Sequence, residues 1–225
     1  MPRYTAAELA AARSLVVPDV LPGPDDPPLR VLFCGINPGL VTALTGHHFG
    51  RPGNRFWPAL HGAGFTPRLL APAEQDELRA LGLGITNVVA RATARAAELT
   101  DDELRAGGAR LRELVARVKP RWLAVAGVGA YRTAFDRPKA QVGPQVDRLG
   151  DTRIWVLPNP SGLNAHWQLP ALVEEFRRLR EAAGDTAEAG PGGTGQSRSC
   201  TSGSGGSSVP SRASRSAHSS SSSST

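Results

Sequence analysis

The chain has 225 residues, 40% of them apolar, and a formal charge of +6, enough for one ordinary domain with a sizeable core. Two cysteines, Cys34 and Cys200, cannot form a disulfide framework or a zinc or iron–sulfur cluster, and no apolar run approaches the length of a membrane-spanning helix. The basic balance favours a polyanionic partner, although with only Lys119 and Lys139 as lysines among 26 basic residues an arginine-rich coding bias explains it equally well.

Met1 to Leu15 carries Glu8 and two arginines in place of a signal-peptide core, so the protein is expected to remain where it is made, in the cytoplasm or, in a eukaryote, the nucleus. Thr5-Ala6-Ala7-Glu8 is a capping-box pattern that opens an alanine-rich helix fading near Val17, and Pro18 to Pro28 reads as an extended arm. Arg30 to Cys34 has the composition of a buried strand and breaks into Gly35-Ile36-Asn37-Pro38-Gly39, a rigid turn that presents one amide side chain. Asn54 stands where it could cap a helix carrying Phe56, Trp57 and Leu60. Glu74 to Leu81 reads as a short helix and Gly84 to Val89 as a second strand.

Thr100 to Glu103 repeats the capping box before a helix with Leu104, Leu111, Leu114, Val115 and Val118 on one face, which stops at Pro120. Arg121 to Gly127 predicts a third strand, Gly129 to Phe135 a helix, Leu149 to Arg153 a turn, and Ile154 to Leu157 a fourth strand that runs into Pro158-Asn159-Pro160-Ser161-Gly162-Leu163. Leu169 to Arg180 closes the fold as an amphipathic helix with Pro170 in its first turn. From Gly184 onward Gly, Ser, Thr and Ala dominate, and a disordered tail is expected.

Strands alternating with helices predict an α/β fold: a single three-layer α/β/α domain with a short, mainly parallel central sheet. The expected organisation is an N-terminal helix and arm over 1–28, a folded α/β domain over 29–183 and the tail over 184–225. In a parallel sheet the loops after the first and fourth strands emerge on one edge, so two segments far apart in sequence can share a crevice.

The strings GINPGL, GHHF and PGNRFW near the start, with NPSGLN at Asn159 to Asn164, resemble the mismatch-specific uracil-DNA and thymine-DNA glycosylase branch of the uracil-DNA glycosylase superfamily. The likeness runs from about Leu21 to about Arg180 and implies the same α/β fold. It also implies a hydrolase of the N-glycosidic bond of uracil, or of thymine or another damaged pyrimidine, opposite guanine. The implied partner is double-stranded DNA containing a G·U or G·T mismatch, and a monomer without cofactor, metal or membrane is expected.

Removing a base from duplex DNA requires extruding the nucleotide, at a cost of a few kcal/mol, and then a pocket, a wedge and a positioned water. The resemblance implies that Asn37 positions the water, that Phe49 stacks the flipped base, and that Ile36, His48 and Asn87 line its pocket. Leu163 is implied as the wedge, with Ser161, Gly162 and Asn164 around it to contact the opposite base. On the residues alone other roles stay open: Asn37 as a turn amide bonding its own backbone, Phe49 in the core, Asn87 satisfied by backbone, and Leu163 pinning its loop inward.

No lysine stands near either motif, so a Schiff-base lyase step lacks a nucleophile, and a single hydrolytic step leaving an abasic site is expected. The superfamily's most active branch has aspartate at the Asn37 position, which implies modest rates here. Two rivals remain: a mismatch- or abasic-site-binding module without catalysis, and an α/β nucleotide-binding protein, although neither G-x-G-x-x-G nor the P-loop string follows the first strand.

Overall fold

The structure, a computed structural model, describes residues 4–184. The tail reading, apart from Gly184, lies outside the described residues. Six α-helices and five strands among the described residues, named here in chain order, build the fold: α1 (Ala6–Ala11), β1 (Val31–Gly35), α2 (Leu40–Thr45), α3 (Phe56–Gly62), β2 (Leu83–Asn87), α4 (Asp101–Val118), β3 (Trp122–Ala126), α5 (Val128–Phe135), β4 (Gly143–Leu149), β5 (Thr152–Leu157) and α6 (Leu169–Ala182).

Five strands form one sheet in the order β2-β1-β3-β5-β4, parallel except for β4, which runs antiparallel along β5. β1, β2 and β3 are buried at every position, as strands covered on both faces must be. One face carries an aromatic core in which Phe33 meets Phe56, Phe65 and Phe176, from α3, the segment after it and α6. The other face packs Leu32, Val125 and Val156 against Leu111, Leu114 and Tyr131 of α4 and α5. Each fully buried large side chain contributes roughly 1.5–3 kcal/mol, so the two layers hold the sheet rigid beneath whatever its edge loops present.

The chain leaves β1 for β2 on one side and then crosses to β3 on the other. That reversal makes the carboxyl ends of β1 and β3 a switch point, where α/β sheets open a crevice.

Both capping boxes form: Thr5 accepts from the Glu8 N–H, and Thr100 accepts from the Glu103 N–H while Glu103 accepts from the Thr100 N–H at 2.8 Å. The arm after α1 is tied to the sheet, because Val20 and Ile85 exchange backbone hydrogen bonds of 2.8 and 2.9 Å.

Several local expectations change. The sequence pattern predicts four strands, and the fifth, β4, is the missing one; its alternation carries Gln145, Asp147 and a fully exposed Val146, so no apolar face marks it as a strand. The turn expected over Leu149 to Arg153 narrows to Gly150 and Asp151, because Leu149 and Thr152 pair across β4 and β5. The short helix expected over Glu74 to Leu81 forms, starts two residues earlier at Pro72 and winds as a 3₁₀ helix. α2, inside the opening motif, is too short for its periodicity to be read. α3 takes Arg55 at its N-cap position, yet Asn54 Oδ1 still accepts the Phe56 N–H at 2.9 Å, so the capping bond comes from one residue earlier.

Candidate active site

A cleft of about 360 Å3 opens at the carboxyl edge of the sheet, lined on one side by Ile36 and Asn37 and on the other by Asn159, Ser161, Leu163 and Asn164. The two motifs, more than a hundred residues apart, therefore converge. Phe49, His48 and Asn87 also line the cleft.

Asn37 sits half-buried in the turn after β1. Its Nδ2 donates to Arg91 O at 2.9 Å and Thr93 Oγ1 at 2.7 Å, with Pro38 O at 3.3 Å. Carbonyl oxygens only accept, so the amide nitrogen must face them, and Oδ1 is left as an acceptor without a donor among the described residues. Asn37 thus bonds its own turn through Pro38 O, as the turn-amide alternative expects, and is held from outside that turn as well by Arg91 O and Thr93 Oγ1.

That donor set rests on a chain of further contacts. Thr93 Oγ1 donates to Arg95 O at 2.8 Å, and the Thr93 N–H bonds Pro38 O at 3.1 Å. Arg91 grips Glu103 through two hydrogen bonds of 2.6 and 3.0 Å, and Arg91 with the Thr100 backbone holds the Glu103 carboxyl down at about 2. The loop bearing Asn37's acceptors is therefore anchored to the start of α4.

The floor of the cleft depends on a close approach. A Cβ on Gly35 would lie 2.5 Å from Asn87 Oδ1 and 3.3 Å from the Phe49 ring, so only glycine lets both side chains rest on the end of β1. Phe49 has a positive φ of 53°, which is uncommon for an aromatic residue, and one face of its ring stacks on Phe56 at 3.9 Å. Phe49 is thus seated on the core while also forming part of the cleft wall. Ile36 packs on Gly127, where a Cβ would come within 2.9 Å of Ile36 Cδ1.

His48 is buried, and its ring is fully engaged. Nε2 lies 2.9 Å from Pro18 O and must carry the proton, so Nδ1 is the acceptor that faces Asn87 Nδ2 at 3.3 Å. Burial lowers the His48 pKa, which keeps the ring neutral and consistent with that tautomer. Asn87 consequently turns its nitrogen to His48 and its oxygen toward Gly35, in reach of the cleft.

The second wall is built on Arg55. Its guanidinium donates to the carbonyls of Ser161 and Asn164 through Nη2 and of Trp167 through Nη1, and the Arg55 backbone N–H donates to Pro160 O at 2.9 Å. Asn164 Nδ2 closes the loop on Asn159 O at 3.0 Å. Gly162 does not line the cleft; it packs against the glycine turn before Arg55, where a Cβ would lie 2.5 Å from Gly53 O. Leu163 is 69% exposed, so it does not pin the loop inward. A rigid loop thus carries an apolar side chain outward.

The sequence pattern misses Arg55, Arg91 and Thr93. Arg55 lies inside the PGNRFW string, but its role there is invisible without the facing carbonyls. Arg91 and Thr93 carry no sequence signal, being ordinary loop residues. Among the described residues, no three His, Cys, Asp or Glu side chains gather in a metal-binding arrangement, and no helix is long and apolar enough to cross a membrane. A model of the uracil DNA glycosylase superfamily matches residues 22–182, which span all five strands and both cleft-forming loops.

Proposed function

Given that the chain belongs to the uracil DNA glycosylase superfamily, and so to the DNA glycosylases, we propose that it hydrolyses the N-glycosidic bond of uracil mispaired with guanine. The observation that carries this reading is the commitment of Asn37 Nδ2 to Arg91 and Thr93, which leaves Oδ1 facing a cleft that Leu163 borders from the other side.

Leu163 enters the base stack as a wedge while the mispaired nucleotide swings out, a step that costs a few kcal/mol and least at a mismatch. The everted pyrimidine lies against Phe49, where stacking on an aromatic ring is worth about 1–3 kcal/mol. Asn87, held by His48, offers an acceptor oxygen to the N3–H that uracil and thymine carry. Gly162 and Asn164 stand beside the wedge, where their backbone groups meet the guanine left behind.

Asn37 Oδ1 accepts a hydrogen bond from a water and aims its lone pair at C1′. The C1′–N bond breaks with its electron pair leaving on the base, the water oxygen bonds C1′, and the released proton passes to solvent or base. An amide is a feeble base, so much of the rate must come from N–H donors around the departing anion, and uracil should leave faster than thymine. Neither lysine lines the cleft, which favours a single hydrolytic step ending at an abasic site.

Duplex DNA with one G·U pair, incubated with the protein and treated with alkali, tests the reading. A strand cut at uracil and lost in Asn37→Ala supports it; tight binding without cutting would leave a mismatch-binding module instead.

A further inference from the structure

A recess of about 770 Å3 lies at the other end of the sheet from the cleft. Trp122, the first residue of β3, lines this recess, while Ala126, the last, lines the cleft. At about 3.3 Å per residue the two are separated by roughly 13 Å of strand.

Five exposed cations surround the recess, Arg112, Lys119, Arg121, Arg148 and Arg153, against a single carboxylate, Asp151. None of the five forms an ion pair with a carboxylate among the described residues, whereas Arg68, Arg91 and Arg137 elsewhere on the surface each do. Arg148 and Arg153 are direct cross-strand partners on β4 and β5, an arrangement in which like charges destabilise the sheet. The C-terminus of α4 favours a cation at Lys119, but that end lies on another element from β4 and β5 and does not account for the arginines there.

Repelling charges gathered round one recess are stabilised by an anion that spans them, and guanidinium groups match phosphate oxygens in paired hydrogen bonds. Trp122 is buried with the Arg153 guanidinium over its ring, so no open aromatic platform is presented for stacking a base. The chemistry favours a phosphodiester backbone read without regard to sequence.

We propose that this recess is a second DNA-backbone site, which holds another duplex segment while the cleft engages its own. DNA as the ligand rests on the glycosylase reading above. The protein then bridges two segments and passes between them without full release.

Equimolar short duplexes, one carrying a donor dye and one an acceptor, report bridging as energy transfer when the full chain is added at low salt. Arg121→Glu with Arg148→Glu, both remote from the cleft, should abolish the transfer and lower affinity for the second duplex by about tenfold or more. Its salt dependence should lose about one unit of log–log slope per phosphate contact removed. Single-turnover excision on one short G·U duplex should be unchanged, which separates this site from the cleft. No transfer with the wild-type chain, or transfer that survives both reversals, would overturn the proposal. Titration with ATP and with inorganic pyrophosphate checks for a free phosphate ligand: saturable binding lost in the variant, without bridging, would also overturn it. If excision is absent in every protein while bridging persists, the glycosylase reading fails and the second site stands.

Discussion

Asn37 Nδ2 donates to Thr93 Oγ1 at 2.7 Å, across 56 residues of chain, and with Arg91 O this contact decides which end of the amide faces the cleft. Thr93→Val removes the acceptor and leaves the Arg95 carbonyl without its donor, which should lower stability by about 1–3 kcal/mol. It should also lower kcat about tenfold with little change in KM, and Thr93→Ser should restore both. Single-turnover kinetics beside thermal melts test this; loss of stability with unchanged kcat would leave Thr93 a purely structural residue.

Asn37→Asp asks whether a stronger base helps in this setting. An aspartate has no hydrogen for Arg91 O, and Thr93 Oγ1 already donates elsewhere, so like oxygens would face each other. The expected result is a protein about 1 kcal/mol less stable and no faster than the parent on a G·U duplex. A marked gain in single-turnover rate would count against the view that amide orientation governs the site.

Leu163→Ala should slow excision from paired duplex more than from single-stranded DNA, since only the duplex has a stack to open. The side chain is exposed, so stability should change by no more than about 0.5 kcal/mol. Equal losses on the two substrates would remove the wedge role.

His48 supplies a pH dependence whose sign follows from its depressed pKa. The unfolded chain takes up a proton near the ordinary histidine value of 6.5, above the folded protein's value, so it binds more protons in the window between them. Stability from this group is therefore complete above about pH 6.5 and declines as pH falls through that window toward the folded pKa. Protonation would also put an N–H against Asn87 Nδ2, so excision should fall over the same acid window. A His48→Asn variant should flatten the acid limb in both melts and rates; an unchanged limb would assign it to another group.

Gly35→Ala tests the floor of the cleft. The added methyl would meet Asn87 Oδ1 and the Phe49 ring, neither the free end of a flexible chain. KM for a G·U duplex should rise and kcat fall about tenfold or more, while binding to undamaged duplex stays the same. Unchanged kinetics would place the base elsewhere.

Much of the architecture was legible from local pattern. Capping boxes at Thr5 and Thr100, the apolar face of α4, and buried runs at Val31–Gly35 and Trp122–Ala126 each announce an element because their signals lie within a few residues. β4 was hidden because, as the antiparallel edge strand, it needs no apolar alternation: Val146 points entirely to solvent.

The sequence by itself determined the fold class, the order of strand and helix, and which two loops carry distinctive residues, since periodicity, capping and turn chemistry act over short spans. Only the tertiary structure decided that Asn37 faces the cleft by its oxygen, that His48 works through Asn87, and that Arg55 braces the loop bearing Leu163. It also decided that arginines from α4, β4 and β5 crowd one recess. A hydrogen bond or a repulsion between residues distant in the chain exists only once packing closes the loop between them, and no local pattern encodes which partner packing will bring.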